Sequence, residues 1–233
     1  MSTIQQQARF AGFIYFLLAL TAPLGLMYVP GKLIVSGDAA ATAANLRASE
    51  GLLRLGIASE LVHQAIAVYL ALALYRLFKP VHESQARHLV ALGALVSVPI
   101  MFVNVLNDLA ALTLAKGPDF LSVFERPQLD ALAYLFLRLH GLGIDVASIF
   151  WGLWLFPFAF LVIRSRFIPK VLGYLLVVAG SAYLVAAFAT LVVPAWLPVV
   201  SRFALPLETA ELPIIFWLLI WGARPRPAEP VTS

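Results

Sequence analysis

Residues 137–174 read LRLHGLGIDVASIFWGLWLFPFAFLVIRSRFIPKVLGY. Three ionisable side chains, Arg138, His140 and Asp145, open this stretch among apolar neighbours. From Val146 to Ile163 it carries no charge, and it closes on a basic turn, Arg164, Arg166 and Lys170, around Pro169. A helix of this kind matches a hydrocarbon core of about 30 Å. The basic turn marks where the chain leaves the bilayer, because Arg and Lys gather in short cytoplasmic loops.

The rest of the chain obeys the same solvent. It has 233 residues, 62% hydrophobic and 12% charged, with a mean hydropathy of +0.92. A soluble domain carries about 25% charged residues. Water cannot solvate such a surface, so the expected partner is the lipid bilayer. No cysteine is present, which excludes disulfides, thiolate catalysis and thiolate metal sites. The net charge is +4, and its basic residues sit near span ends with no nucleic-acid signature.

The pattern predicts an all-α bundle of six transmembrane helices in one domain over 1–223, with a disordered cytoplasmic tail at 224–233. The spans fall at about 10–28, 52–78, 86–114, 134–163, 169–193 and 203–221, with Pro194 and Pro198 closing the fifth. No small-x-small site follows the first apolar run, and Pro23 sits where cleavage would be hindered, so the first helix is read as uncleaved. Asp38 is placed to cap a short helix, Ala39 to Ala48, that lies at the membrane surface or extends the second span. Gly117-Pro118-Asp119 marks the turn before the fourth helix, and Pro127 suits its first turn. From Pro127 to Ile163 that helix would be about 55 Å long. It must project, bend at its glycines, or kink at Pro157.

Six spans put both termini on one side. With the N-terminus inside, nine inner positives (Arg9, Arg76, Lys79, Arg87, Arg164, Arg166, Lys170, Arg224, Arg226) face six outer ones (Lys32, Arg47, Arg54, Lys116, Arg126, Arg202). Both termini are therefore expected in the cytoplasm.

Ionisable residues inside spans cost about 2.5–3.5 kcal/mol each at mid-helix and seek partners or water. Glu60, His63 and Gln64 share one helix face, and Asn104, Asn107 and Asp108 another. Arg138, Gly141, Asp145, Ser148 and Gly152 form a third, with His140 on the opposite side of the same helix. Glu208 and Glu211 lie in the sixth span. All fall in the outer halves of their spans. The expectation is one polar, net-acidic pocket over an apolar floor, with Glu60, His63, Gln64, Asn104, Asp108, Arg138, His140, Asp145 and Glu211 as candidates. A structural reading stands beside it: Arg138 locks the bundle by pairing with Asp108, Asp145 or Glu211, and His140 simply packs.

Several functions fit such a pocket. A binding, sensing or assembly role needs only a small polar or lipidic ligand, and it is the reading adopted, with no catalytic residue and no cofactor assigned. An ion- or proton-coupled transporter would use the same carboxylates, and its small size would suggest a homodimer. A zinc-dependent intramembrane hydrolase would need about three ligands with an open position. Glu60, His63 and His140 are its weak metal candidates, since Glu60-x-x-His63 has the spacing of bundle metal sites but occurs once. Haem ligation by His63 and His140 is the last alternative.

Phe150-Trp151-Gly152-Leu153-Trp154, Leu161 to Ser165 and Ile168-Pro169-Lys170-Val171-Leu172-Gly173 resemble the signature of bacterial membrane proteins grouped as domain of unknown function family 4386. Arg9-Phe10-Ala11-Gly12, Gly37 to Ala43, Leu74 to Phe78 and Glu211 to Gly222 agree with it, so the resemblance covers about 9–223. Ala159-Phe160 and Trp151 depart from the usual pattern. The resemblance implies a six-span inner-membrane protein and no particular reaction.

Overall fold

The computed structural model describes residues 3–223; the 224–233 tail, expected to be disordered, lies outside the described residues. The described chain is helical and contains no strand. Six segments are long and apolar enough to cross a membrane: Thr3–Leu33, Glu50–Phe78, Glu83–Lys116, Arg126–Ser165, Lys170–Leu191 and Pro194–Ile220. The first and last spans pack together. Arg9 donates to the carbonyl of Ile220 at 2.8 Å, and Gln5 to that of Trp221 at 3.0 Å.

Asp38 caps the short helix Ala39–Ala48 through the Ala41 N–H at 2.9 Å. Ser49 interrupts the chain before the second span, so the short helix is a separate element. It buries Thr42, Ala43 and Leu46. Arg47 reaches Asp130 at 3.0 Å, and Asp130 also meets Arg126 at 3.1 Å. These bonds tie the short helix to the first turns of the fourth span. That span is one helix of 40 residues, about 60 Å long, and its start stands beside the short helix. The helix runs without a break through Gly141, Gly143 and Pro157. Gly117, at φ +66°, ends the third span in the left-handed conformation that only glycine adopts without strain.

Where helices cross closely, small residues allow it. A methyl group on Gly152 would come within 2.8 Å of the Gly180 carbonyl, and the reverse holds too. This contact sets the register of the fourth span against the fifth. In lipid such close backbone approach supplies the packing that water supplies for soluble proteins. Continuing the antiparallel register puts Leu191, the end of the fifth span, level with about Gly141. The face expected from Arg138 to Gly152 is thus only half covered: Ser148 and Gly152 are buried, whereas Arg138 and Gly141 lie exposed beyond the fifth span.

Two apolar clusters hold the bundle. The larger, on the side of the chain ends, includes Tyr15, Leu74, Phe78, Trp154, Phe158, Leu161 and Leu176. The smaller, under the short helix, includes Val29, Leu46, Leu53, Ile57, Val105, Leu112 and Leu137. Along both the second and fourth spans a buried polar residue separates the clusters: Glu60 follows Ile57, and His140 follows Leu137.

Two π-helical segments interrupt the spans, Leu24–Tyr28 after Pro23 and Ala91–Val96 in the third span. Pro23 has no N–H to continue the helix ladder, and the widened turn absorbs the gap. The sixth span also departs from its expected bounds. It begins at Pro194 and breaks at Thr209–Glu211 into helices Leu197–Glu208 and Leu212–Ile220. Pro194 and Pro198 start this span instead of closing the fifth, because a helix tolerates proline in its first turn.

Candidate functional site

Glu60, Asp108 and His140 come from the second, third and fourth spans and meet in the interior. Each is at most 5% exposed. His140 Nε2 lies 3.3 Å from Glu60 Oε1, and Nδ1 lies 3.3 Å from Asp108 Oδ2. Asn104 donates to the His140 carbonyl at 2.9 Å, and Asn107 donates to Asn104 Oδ1 at 3.0 Å. Three glycines admit this cluster. A methyl group on Gly25 would stand 2.7 Å from Glu60 Cγ. Gly56 lets Val29 of the first span approach, and Gly143 leaves room for the Asn104 amide. Gly25 lies in the π segment after Pro23. A cavity of about 140 Å³ borders all three residues, lined otherwise by Leu26, Val29, Leu53, Ile57 and Leu137 among apolar neighbours.

A second, larger cavity of about 260 Å³ lies next to it, nearer the chain ends. Leu26 borders both. Its walls are mostly apolar and aromatic, including Leu70, Trp151, Trp154 and Ile215. Glu208, Thr209 and Glu211 border it at the break of the sixth span, and Gln64 and Ser97 border it from the second and third spans. Tyr15 donates to Glu211 Oε1, and its ring packs on Trp154 at 5.9 Å between centroids. Glu208, Thr209, Tyr183 and His63 complete that wall. His63 Nδ1 is 2.9 Å from the Thr21 hydroxyl. The break matters here, because Pro206 and Pro213 remove helix donors and leave Glu208 and Glu211 at a turn inside the apolar bundle.

The nine sequence candidates therefore divide. Glu60, Asp108 and His140 converge, with Asn104 beside them. His63, Gln64 and Glu211 line the larger cavity. Asp145 is half-buried and borders neither cavity. Arg138 is exposed and forms no ion pair among the described residues. Asp108 faces His140 and Glu211 faces Tyr15, so neither carboxylate meets it. His63 stands apart from the group whose donors converge, although Glu60 is only a turn away. The i, i+3 spacing put both residues on one helix face, but neighbouring spans drew them to different cavities. Tyr15, Thr21 and Tyr183 were absent from the sequence candidates. A lone tyrosine or threonine in an apolar span has no distinguishing spacing, and only the partner across the bundle reveals its use.

The fold and the buried polar layer define a multi-pass helical membrane protein. A family model described as Domain of unknown function (DUF4386) matches residues 10–222, and the chain belongs to that family. No curated protein and no solved structure matches the chain.

Proposed function

We propose that this membrane protein binds a small amphiphile in the larger cavity, as a binding, sensing or assembly component of its membrane. The observation that carries this reading is the make-up of the cavity: about 260 Å³ of mostly apolar and aromatic wall with the carboxylates of Glu208 and Glu211 at one side. An apolar body suits the wall, and a cationic or hydrogen-bond-donating head suits the carboxylates. Leu205 and Leu212 border the cavity and are exposed on the outside of the bundle, which supports entry sideways from lipid. The membrane we infer is the bacterial inner membrane, with both termini in the cytoplasm, on the positive-charge bias and the family resemblance. An alkaline-phosphatase fusion after Lys116 should then be active, and an inactive one would reverse the topology.

Ligand binding is tested with the protein in nanodiscs, following tryptophan emission, since Trp151 and Trp154 line the cavity. Decylamine, decanol and decanoate share a chain and differ in head charge. Decylamine should bind tightest, and Glu211→Gln should weaken it about tenfold, the size of one charge-assisted hydrogen bond. Equal response to all three amphiphiles, or no saturable response, would refute the reading.

The break at Thr209–Glu211 favours a second reading, an ion- or proton-coupled transporter, because interrupted spans with carboxylates recur at transport sites. The apolar cluster on the side of the chain ends weighs against a through-path. Counterflow of labelled decylamine in proteoliposomes separates the readings, since a binding protein saturates without counterflow.

A further inference from the structure

We propose that Glu60, Asp108 and His140 form an intramembrane site for a divalent transition-metal ion of the zinc class, independent of the larger cavity. One donor atom from each residue lies within 4.8 Å of the others, and the three arrive from three different spans. The donor set is one imidazole and two carboxylates, a combination that suits zinc, cobalt or manganese. With about 2.1 Å bonds, neighbouring ligand atoms of a tetrahedral ion lie about 3.4 Å apart. The separation of His140 Nε2 from Glu60 Oε1 is 3.3 Å.

Two further observations point to a missing partner. Glu60 Oε2 and His140 Nε2 are buried and have no hydrogen-bond partner. The nearest group to Nε2 is Glu60 Oε1 at 3.3 Å, long for a hydrogen bond, and Glu60 Oε2 has none. Glu60 itself is only 4% exposed. Native interiors rarely leave such atoms unpaired, and an ion is one of the few things that satisfies both. The charge asks for the same partner. Among the described residues no lysine or arginine pairs with Glu60 or Asp108. Two carboxylates facing one imidazole in an apolar interior call for positive charge, and a divalent ion supplies it.

The surroundings fit a metal centre. With Nε2 on the ion, His140 Nδ1–H points towards the Asn104 backbone carbonyl at 3.4 Å. Such a partner fixes the tautomer and orientation of a ligating imidazole. Asn104 also holds the His140 backbone at 2.9 Å. The adjoining cavity of about 140 Å³ leaves an open position for water or a small ligand.

The test uses full-length protein purified in detergent with a tag that contains no histidine, stripped with chelator and titrated with Co²⁺ alone. A saturable visible d–d band at about one Co²⁺ per chain is expected, displaced by Zn²⁺. H140A and E60Q should abolish the band, and H63A should retain it. Should H140A fail to give a monodisperse peak, E60Q and D108N decide. Zn²⁺ should also raise the Tm of the wild-type protein and leave that of E60Q unchanged. No saturable band in the wild-type protein, or a band that survives in E60Q and D108N, overturns the proposal. Decylamine binding at the larger cavity is read separately, so either site can fail alone.

Discussion

The two cavities differ in how their polar groups are held. Around Glu60, Asp108 and His140 three unbroken stretches of helix converge, and glycines at 25, 56 and 143 bring the backbones close. Around Glu211 the helix itself is interrupted, and the wall is built from Tyr15, His63, Thr209 and Tyr183 over a wide apolar surface. The first arrangement is the smaller, about 140 Å³, and is short of hydrogen-bond partners. The second is roomy and bordered by exposed leucines. The first leaves space beside its donors for an ion with water or a small ligand, and the broken helix leaves space for an organic molecule. The contrast separates two chemistries that lie a few residues apart on the second span, at Glu60 and at His63.

The sharpest way to break this contrast is Gly143→Leu. The side chain would collide with the Asn104 amide that supports His140, and overpacking of this kind costs about 1–3 kcal/mol or more. Fluorescence-detected size exclusion after heating should show an early loss of the folded peak. Decylamine binding by the surviving fraction should be intact. An unchanged melting profile would mean the region is looser than its geometry implies.

His140→Ala should cost at least as much. Removing the residue that faces both carboxylates leaves two buried acids without a partner, a change of about 3–5 kcal/mol for a buried pair. Urea unfolding in mild detergent measures it. Glu60→Gln should cost clearly less, because it removes charge along with the partner; equal losses would argue that the cluster acts only by packing.

Tyr15→Phe probes the other region. The hydroxyl donates to Glu211, and a hydrogen bond to a charged group contributes about 1.5–3 kcal/mol. The variant should lose about that much stability while the cobalt titration is unchanged. Smallest of all is Arg138→Leu. An exposed side chain with no ion pair among the described residues should change stability by about 0.5 kcal/mol or less. A loss of several kcal/mol would restore the idea that Arg138 locks the bundle.

Much of the architecture was legible in residue order. The apolar runs, the Asp38 cap and the turn at Gly117 each rest on a local rule, and each appears in the fold. The sixth span was legible in existence but not in form. Prolines at 194 and 198 read as the stop of the fifth span, and the tertiary setting made them the start of the sixth. The candidate site was half legible. Helical phase grouped Glu60 with Gln64 and Asp108 with Asn104, but it set His140 opposite the small-and-polar face of its own helix, and the structure turns that side inward. The same phase also implicated Arg138 and Asp145, because phase alone does not tell how far the neighbouring span extends. The fifth span ends too soon to cover Arg138.

Lipid as solvent, six helical crossings and a family could be inferred from the linear chain, because hydropathy and capping act over one or two turns. The division of the buried polar residues into two cavities could not. It depends on glycine contacts between spans far apart in sequence, on a π turn whose Gly25 lies beside Glu60, and on a break that aims Glu211 at Tyr15. Those are relations between helices, and a single helix face carries no record of which neighbour it will meet.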